Sequence, residues 1–186
     1  SLVLHFEYTQ FGTENMNAFI ESNQNLKSLE LRTSLQQVNQ VFQQTTFQSL
    51  ERLSIQLCKV DFPFADYIED FEEIILRHNH IKDLHINLHA YYPELFFPVL
   101  HAIETYGRTL EALRVNFETT GQLKDKKYKK MKELFEEIRG LKSLELDLEY
   151  ELMDSKGFGS VIEGLGMLKS LEHLVFRGNV VKISGS

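Results

Sequence analysis

A chain of 186 residues, 42% of them hydrophobic, is long enough for one globular or solenoid unit and too apolar for a disordered tail. Its formal net charge of -7 excludes a general nucleic-acid binder, whose phosphate contacts need clustered Lys and Arg, and suits a basic protein partner better. The single cysteine, Cys58, excludes an intramolecular disulfide framework and points to a reducing compartment, cytoplasmic or nuclear; no secretory leader pattern opens the chain, and no apolar run approaches the roughly 20 residues of a membrane span.

The predicted elements alternate. Leu2 and Leu4 mark a first strand, and Met16, Phe19 and Ile20 a helical stripe behind it. Leu26, Leu29 and Leu31 open the second unit, with Leu35, Val38, Val41 and Phe42 at helical spacing; the Gln-rich stretch from Gln36 to Gln48 is the polar face of that helix. Leu50, Leu53 and Ile55 precede Phe64, Ile68, Phe71 and Ile75, with Pro63 ahead of the helix. Ile81, Leu84 and Ile86 precede Val99, Leu100 and Ile103. Pro93 and Pro98 flank that helix's start, where the first turn has no amide partner to lose; otherwise Pro98 kinks a helix that begins at Pro93. Leu110, Leu113 and Val115 lead to Met131, Leu134, Phe135 and Ile138. Leu141, Leu144 and Leu146 lead to Phe158, Val161, Ile162, Leu165 and Leu168, and Leu171, Leu174 and Phe176 form a last strand phrase.

The same phrase, L-x-x-L-x-L or a trimmed form of it, therefore returns seven times. Its second apolar residues, Leu2, Leu29, Leu53, Leu84, Leu113, Leu144 and Leu174, lie 24 to 31 residues apart, the signature of stacked repeats. A doubly wound sheet shares the strand-helix-strand order. Three observations disfavour it: the strands alternate where strands covered on both faces run continuously apolar, no glycine-rich phosphate loop follows the first strand, and the period is too regular.

On these residues the chain resembles the leucine-rich repeat superfamily, in its ribonuclease-inhibitor-like branch. The resemblance implies an α/β solenoid of about 6–7 repeats, a curved horseshoe segment with parallel strands on the concave face and helices on the convex face. It also implies a non-enzymatic module that binds another protein through the concave strands. The alternative it suggests is a substrate-recognition or regulatory segment of a multidomain protein, such as a ubiquitin-ligase adaptor or a sensor. The family's turn-forming Asn or Cys is mostly missing: its positions hold Glu7, Ser34, Cys58, His89, Glu118, Glu149 and Asn179. An additional apolar residue just before that position, as in Leu57, Leu88, Phe117 and Leu148, predicts longer strands and an irregular, degenerate turn. Neither end shows a cap, so residues 1–186 read as one domain cut from a larger protein, able to self-associate through open ends.

Parallel strands lie roughly 4.8 Å apart, so equivalent positions of successive repeats become lateral neighbours. The outward set is polar throughout, and the candidate partner-binding residues are His85, Asn87, Arg114, Asn116, Glu118, Glu145, Asp147 and Glu149. Glu118, Glu145, Asp147 and Glu149 make an acidic corner suited to a basic segment of a protein partner. Reversing Glu145 and Asp147 to lysine should then abolish capture and leave the thermal transition nearly unchanged. Cys58, His89 and Glu118 share one register, the residue set of a thiol nucleophile, its base and an orienting carboxylate. A family precedent for Cys as a turn residue, and the lack of an identifiable oxyanion site, weigh against catalysis. His78, His80, His85 and His89 do not have metal spacing: His85 and His89 sit about 13 Å apart along a strand, and His78 and His80 fall in a turn whose default is solvent. The lysines from Lys124 to Lys132 around Tyr128 alternate with Glu133, Glu136 and Glu137 and read as a solvated helix face, not an RNA or membrane patch. No cofactor, metal or small-molecule ligand is expected.

Overall fold

In the computed structural model, which describes residues 2–5, 18, 21–34, 38–39, 42, 47–58, 73, 77–78, 80–88, 95–107, 109–117 and 125–180, the seven phrases form one sheet. Its strands are β1 (Leu2–His5), β2 (Ser28–Thr33), β3 (Arg52–Leu57), β4 (Asp83–Leu88), β5 (Ala112–Phe117), β6 (Ser143–Met153) and β7 (His173–Val180). All neighbours are parallel and lie side by side in chain order. Three helices separate the later strands: α1 (Phe96–Tyr106), α2 (Asp125–Glu137) and α3 (Ser155–Leu165). The register is the one the phrase predicts, with Leu2, Leu29, Leu53, Leu84, Leu113, Leu144 and Leu174 paired in one row across the sheet.

Alternation divides the sheet into two faces. Leu29, Leu31, Leu53, Ile55, Leu84, Ile86, Leu113, Val115, Leu144 and Leu146 are each at most 3% exposed and join one core with the helices. Burying each such side chain stabilises the fold by about 1.5–3 kcal/mol before chain entropy is counted. Strands two to five run six residues, and the apolar residue at the end of three of them, Leu57, Leu88 and Phe117, is buried as the extended alternation predicts. The Phe117 ring packs at 4.6 Å from Phe96 at the start of α1. Pro98 sits in the first turn of α1, where its missing amide costs nothing.

Strand β6 is longer, and its pairing with β7 shifts register between Leu148 and Leu152. Gly178 faces the shift; a Cβ there would overlap the Met153 methyl, so the bulge and the glycine fit each other. Asp154 then caps α3, accepting from the Gly157 amide at 2.6 Å. Gly157 also lets α3 approach α2: a Cβ at this position would lie inside the Tyr128 ring, and one at Gly164 would meet Phe135 Cδ2 at 2.5 Å. The stripe expected on α3 is correct at Val161 and Leu165 but not at Ile162, which is 45% exposed because it lies beyond the edge that Gly157 and Gly164 turn to α2.

A second ladder runs along the turn before each strand. The carbonyls of Lys27, Glu51, Lys82, Glu111 and Lys142 each accept two amides from the next unit, at 2.7–3.1 Å. The side chains of this row alternate in sign, Lys27, Glu51, Lys82, Glu111, Lys142 and Glu172. Lys142 meets Glu111 at 2.8 Å and Lys82 meets Glu51 at 3.8 Å.

Candidate protein-binding face

The sheet face opposite the described helices carries two polar rows, because residues between buried leucines point the other way and register aligns them laterally. One row reads Glu30, Ser54, His85, Arg114 and Glu145; the next reads Arg32, Gln56, Asn87, Asn116, Asp147 and Arg177. Six of the eight candidate residues, His85, Asn87, Arg114, Asn116, Glu145 and Asp147, are thus brought together on β4, β5 and β6. Glu118 lies outside the described residues, and Glu149 falls on β6 where the register to β7 shifts.

The acidic corner has a different electrostatic character from the one read in sequence. Glu145 meets Arg114 at 2.6 Å and Arg177 at 3.0 Å, and Asp147 meets Arg177 at 3.4 Å. The hydrogen bond from Arg177, with help from Arg114, holds the Glu145 carboxyl below the usual carboxylate range. Both acids are thereby neutralised by cations of adjacent strands. Reversing them would set new lysines beside Arg114 and Arg177, so a thermal cost is expected where the sequence alone suggests almost none.

His85 occupies the middle of the face. Its Nδ1 lies 3.0 Å from Ser54 Oγ, and burial, then the neighbouring Arg114, lowers its pKa from the ordinary histidine value. This lowering favours the neutral ring, and the hydrogen bond to Ser54 runs in the direction that the ring's tautomer sets. Arg52 and Asp83 pair at 2.7 Å beside it. Glu30, Arg52, Ser54, Asp83, His85 and Arg114 line a groove of about 310 Å3 that continues to Glu145 and His173. In the adjacent row the Asn116 Oδ1 atom is buried and has no hydrogen-bond donor among the described residues. Ser54, Arg52, Asp83 and Glu30 were not among the candidate residues; the lateral register that aligned the others also selects them.

The other sequence candidates separate. Cys58 is half-buried and its amide donates to the Thr33 carbonyl at 2.8 Å, while His89 and Glu118, its proposed companions, lie outside the described residues. His80 is exposed as expected, but His78 is not: it is 2% exposed, accepts from the Phe47 amide at 3.1 Å and packs edge-on at 5.0 Å from Phe42. An aromatic pocket and an amide donor hold it in place of water. Among the described residues no three His, Cys, Asp or Glu side chains converge as metal ligands. The lysines of α2 are partnered: Lys126 and Lys127 lie over the Phe97 and Phe96 rings, and Lys130 and Lys132 reach Glu104 and Glu163 at 2.8 and 2.7 Å.

No model of a known family matches this sequence, and no curated protein does. A solved structure does: the tropomodulin C-terminal domain of Caenorhabditis elegans superposes with a TM-score of 0.56 and 14% identity, over 85% of this chain and 93% of that one. The fold is a leucine-rich repeat solenoid. At this identity the likeness to tropomodulin is one of fold. A second structure, QR15, an aldolase, gives a TM-score of 0.29 and 12% identity over 96% of this chain and 87% of that one, too low to bear on fold or chemistry. Among the described residues no helix is long and apolar enough to cross a membrane.

Proposed function

We propose that this leucine-rich repeat domain is a non-enzymatic binding module whose sheet face opposite the described helices docks another protein, with His85, Asn87, Arg114, Asn116, Glu145 and Asp147 at the centre. The observation that supports this reading most is the two ordered polar rows on β4 to β6. Their side chains are fixed by ion pairs and by the bond between Ser54 and His85, so little rotamer freedom remains to be lost on binding. Catalysis finds less support: among the described residues no carboxylate hydrogen-bonds His85, so its ring lacks the orienting group that a general base beside Ser54 needs.

The ion pairs also bear on the kind of partner this reading implies. Glu30, Asp83, Glu145 and Asp147 stand against Arg32, Arg52, Arg114 and Arg177, so the face is balanced in charge and recognition rests on hydrogen bonding more than on long-range steering of a basic segment. Photo-crosslinking groups placed at Gln56 or Asn87 should capture the same partner from a cell extract, whereas a group at Lys129 on the outer side of α2 should not. Arg114→Ala should weaken that capture. Crosslinks formed only from Lys129 would reject the sheet face as the docking surface.

A further inference from the structure

We infer that the groove on the sheet face is an anchor pocket for one side chain of the docked partner, a tyrosine, which lies over Ala112 and Ser143 with its hydroxyl at Asp83. The inference rests on the sheet-face reading above and adds the partner's chemistry at one point. Register places Arg52, Asp83, Ala112, Ser143 and His173 as lateral neighbours, one line of side chains ahead of the Ser54, His85, Arg114 and Glu145 row and on the same side of the sheet. The ends of this line are long and its middle is short. Between Asp83 and His173 it drops to a methyl and a hydroxymethyl on two interior strands, a gap three strand spacings wide, roughly 14 Å. These residues line the groove together with Leu113, Arg114 and Glu145. Its volume, about 310 Å3, is at the low end for ligand pockets and suits one large side chain better than a cofactor.

Charge decides the class of side chain. A partner's lysine or arginine would enter beside Arg52 and Arg114, and the acids it would seek are engaged: Asp83 by Arg52 at 2.7 Å, and Glu145 by Arg114 at 2.6 Å and Arg177 at 3.0 Å. An acidic side chain would meet Asp83 and Glu145. The occupant that fits is therefore uncharged, with an apolar body for the Ala112 methyl and a donor at its tip. Arg52 holds Asp83 through Oδ2, which leaves Oδ1 to accept from that donor. Tyrosine has both parts, and its two rotors cost little to fix. Arg114, more than half exposed with its guanidinium held by Glu145, adds a cation beside the ring. An aromatic anchor near the centre of an interface carries much of its affinity.

The test uses the whole isotope-labelled chain and the N-acetyl amides of tyrosine, phenylalanine, arginine and glutamate, titrated by NMR. The tyrosine amide should shift the backbone amides of Ala112, Leu113 and Ser143. The phenylalanine amide should bind at the same place roughly 2- to 10-fold more weakly, the worth of one hydrogen bond, and the two charged amides should bind least. Ala112→Leu, which fills the gap from the polar side, should abolish the tyrosine response while the thermal transition holds, and Asp83→Ala should bring the tyrosine and phenylalanine amides level. The inference is overturned if a charged amide binds as tightly as the tyrosine amide, if Ala112→Leu leaves the tyrosine response intact, or if no shifts arise at this groove. Crosslinking from Asn87 that Ala112→Leu leaves undiminished would also overturn it, with the sheet face still docking its partner and only the anchor wrong. Crosslinks confined to Lys129 would reject the sheet face itself, and the anchor with it.

Discussion

The two faces of the sheet are built from the same strands, one residue out of step, and they answer to different physics. On one face the leucine row is dry and close-packed, so each side chain is held by volume and by exclusion of water. On the other, Arg114, Glu145 and Arg177 are held by pairwise charge in partial contact with solvent. A change on the first face should act on the whole fold, and a change on the second chiefly on what the domain binds. This separation makes a repeat sheet useful as a recognition surface.

The sharpest way to break the comparison is Leu84→Ala against His85→Ala, adjacent residues facing opposite ways. The first should cost about 2–5 kcal/mol in chemical denaturation. The second should cost far less; equal losses would mean that the faces are not energetically distinct. Next comes the glycine contact between helices. Gly157→Ala drives a methyl into the Tyr128 ring and should cost about 1–3 kcal/mol, and Tyr128→Leu in the same chain should recover part of it. Smaller still is Arg177→Ala, which removes contacts to Glu145 and Asp147 from a half-exposed guanidinium; about 0.2–1 kcal/mol is expected, shrinking in high salt.

The smallest effect should be a titration. Burial and Arg114 lower the His85 pKa below 6.5, opposed by Glu145, Glu30 and Asp83, so the unfolded chain takes up this proton first. The contribution of His85 to stability is therefore complete above pH 6.5 and declines as pH falls through the folded-state pKa. His85→Asn should remove that slope. Glu145 has the same sign in a lower window, because its pKa lies below 4.5: its contribution is present above that value and is lost as pH falls through the lowered one. Stability curves of the two variants should diverge from the parent in different pH ranges.

Much of the architecture is written in local pattern. The leucines that pair across the sheet are the second residues of the repeated phrase, and the strand extension at Leu57, Leu88 and Phe117 follows from one additional apolar position. What pattern misreads is contact between residues whose spacing does not follow one face. Ile162 has the periodicity of a core residue, but the small glycines beside it draw α3 onto α2 along another line. His78 looks like a turn residue because Phe42 and Phe47, which enclose it, lie more than 30 positions earlier. At the candidate face, the rows follow from counting, whereas the neutralised acids do not: Arg177 reaches diagonally to Glu145 as well as laterally to Asp147, and charge read one column at a time misses that.

The alternating row before the strands has a consequence for how such a chain can lengthen. Each lysine follows an acid and each acid a lysine, so two successive units, not one, are the true translational period of that edge. Duplicating or deleting a single strand-helix unit in the interior would leave two like charges on neighbouring rungs, whereas inserting a pair would leave every neighbour opposite. The chain should therefore tolerate growth in twos more readily than in ones.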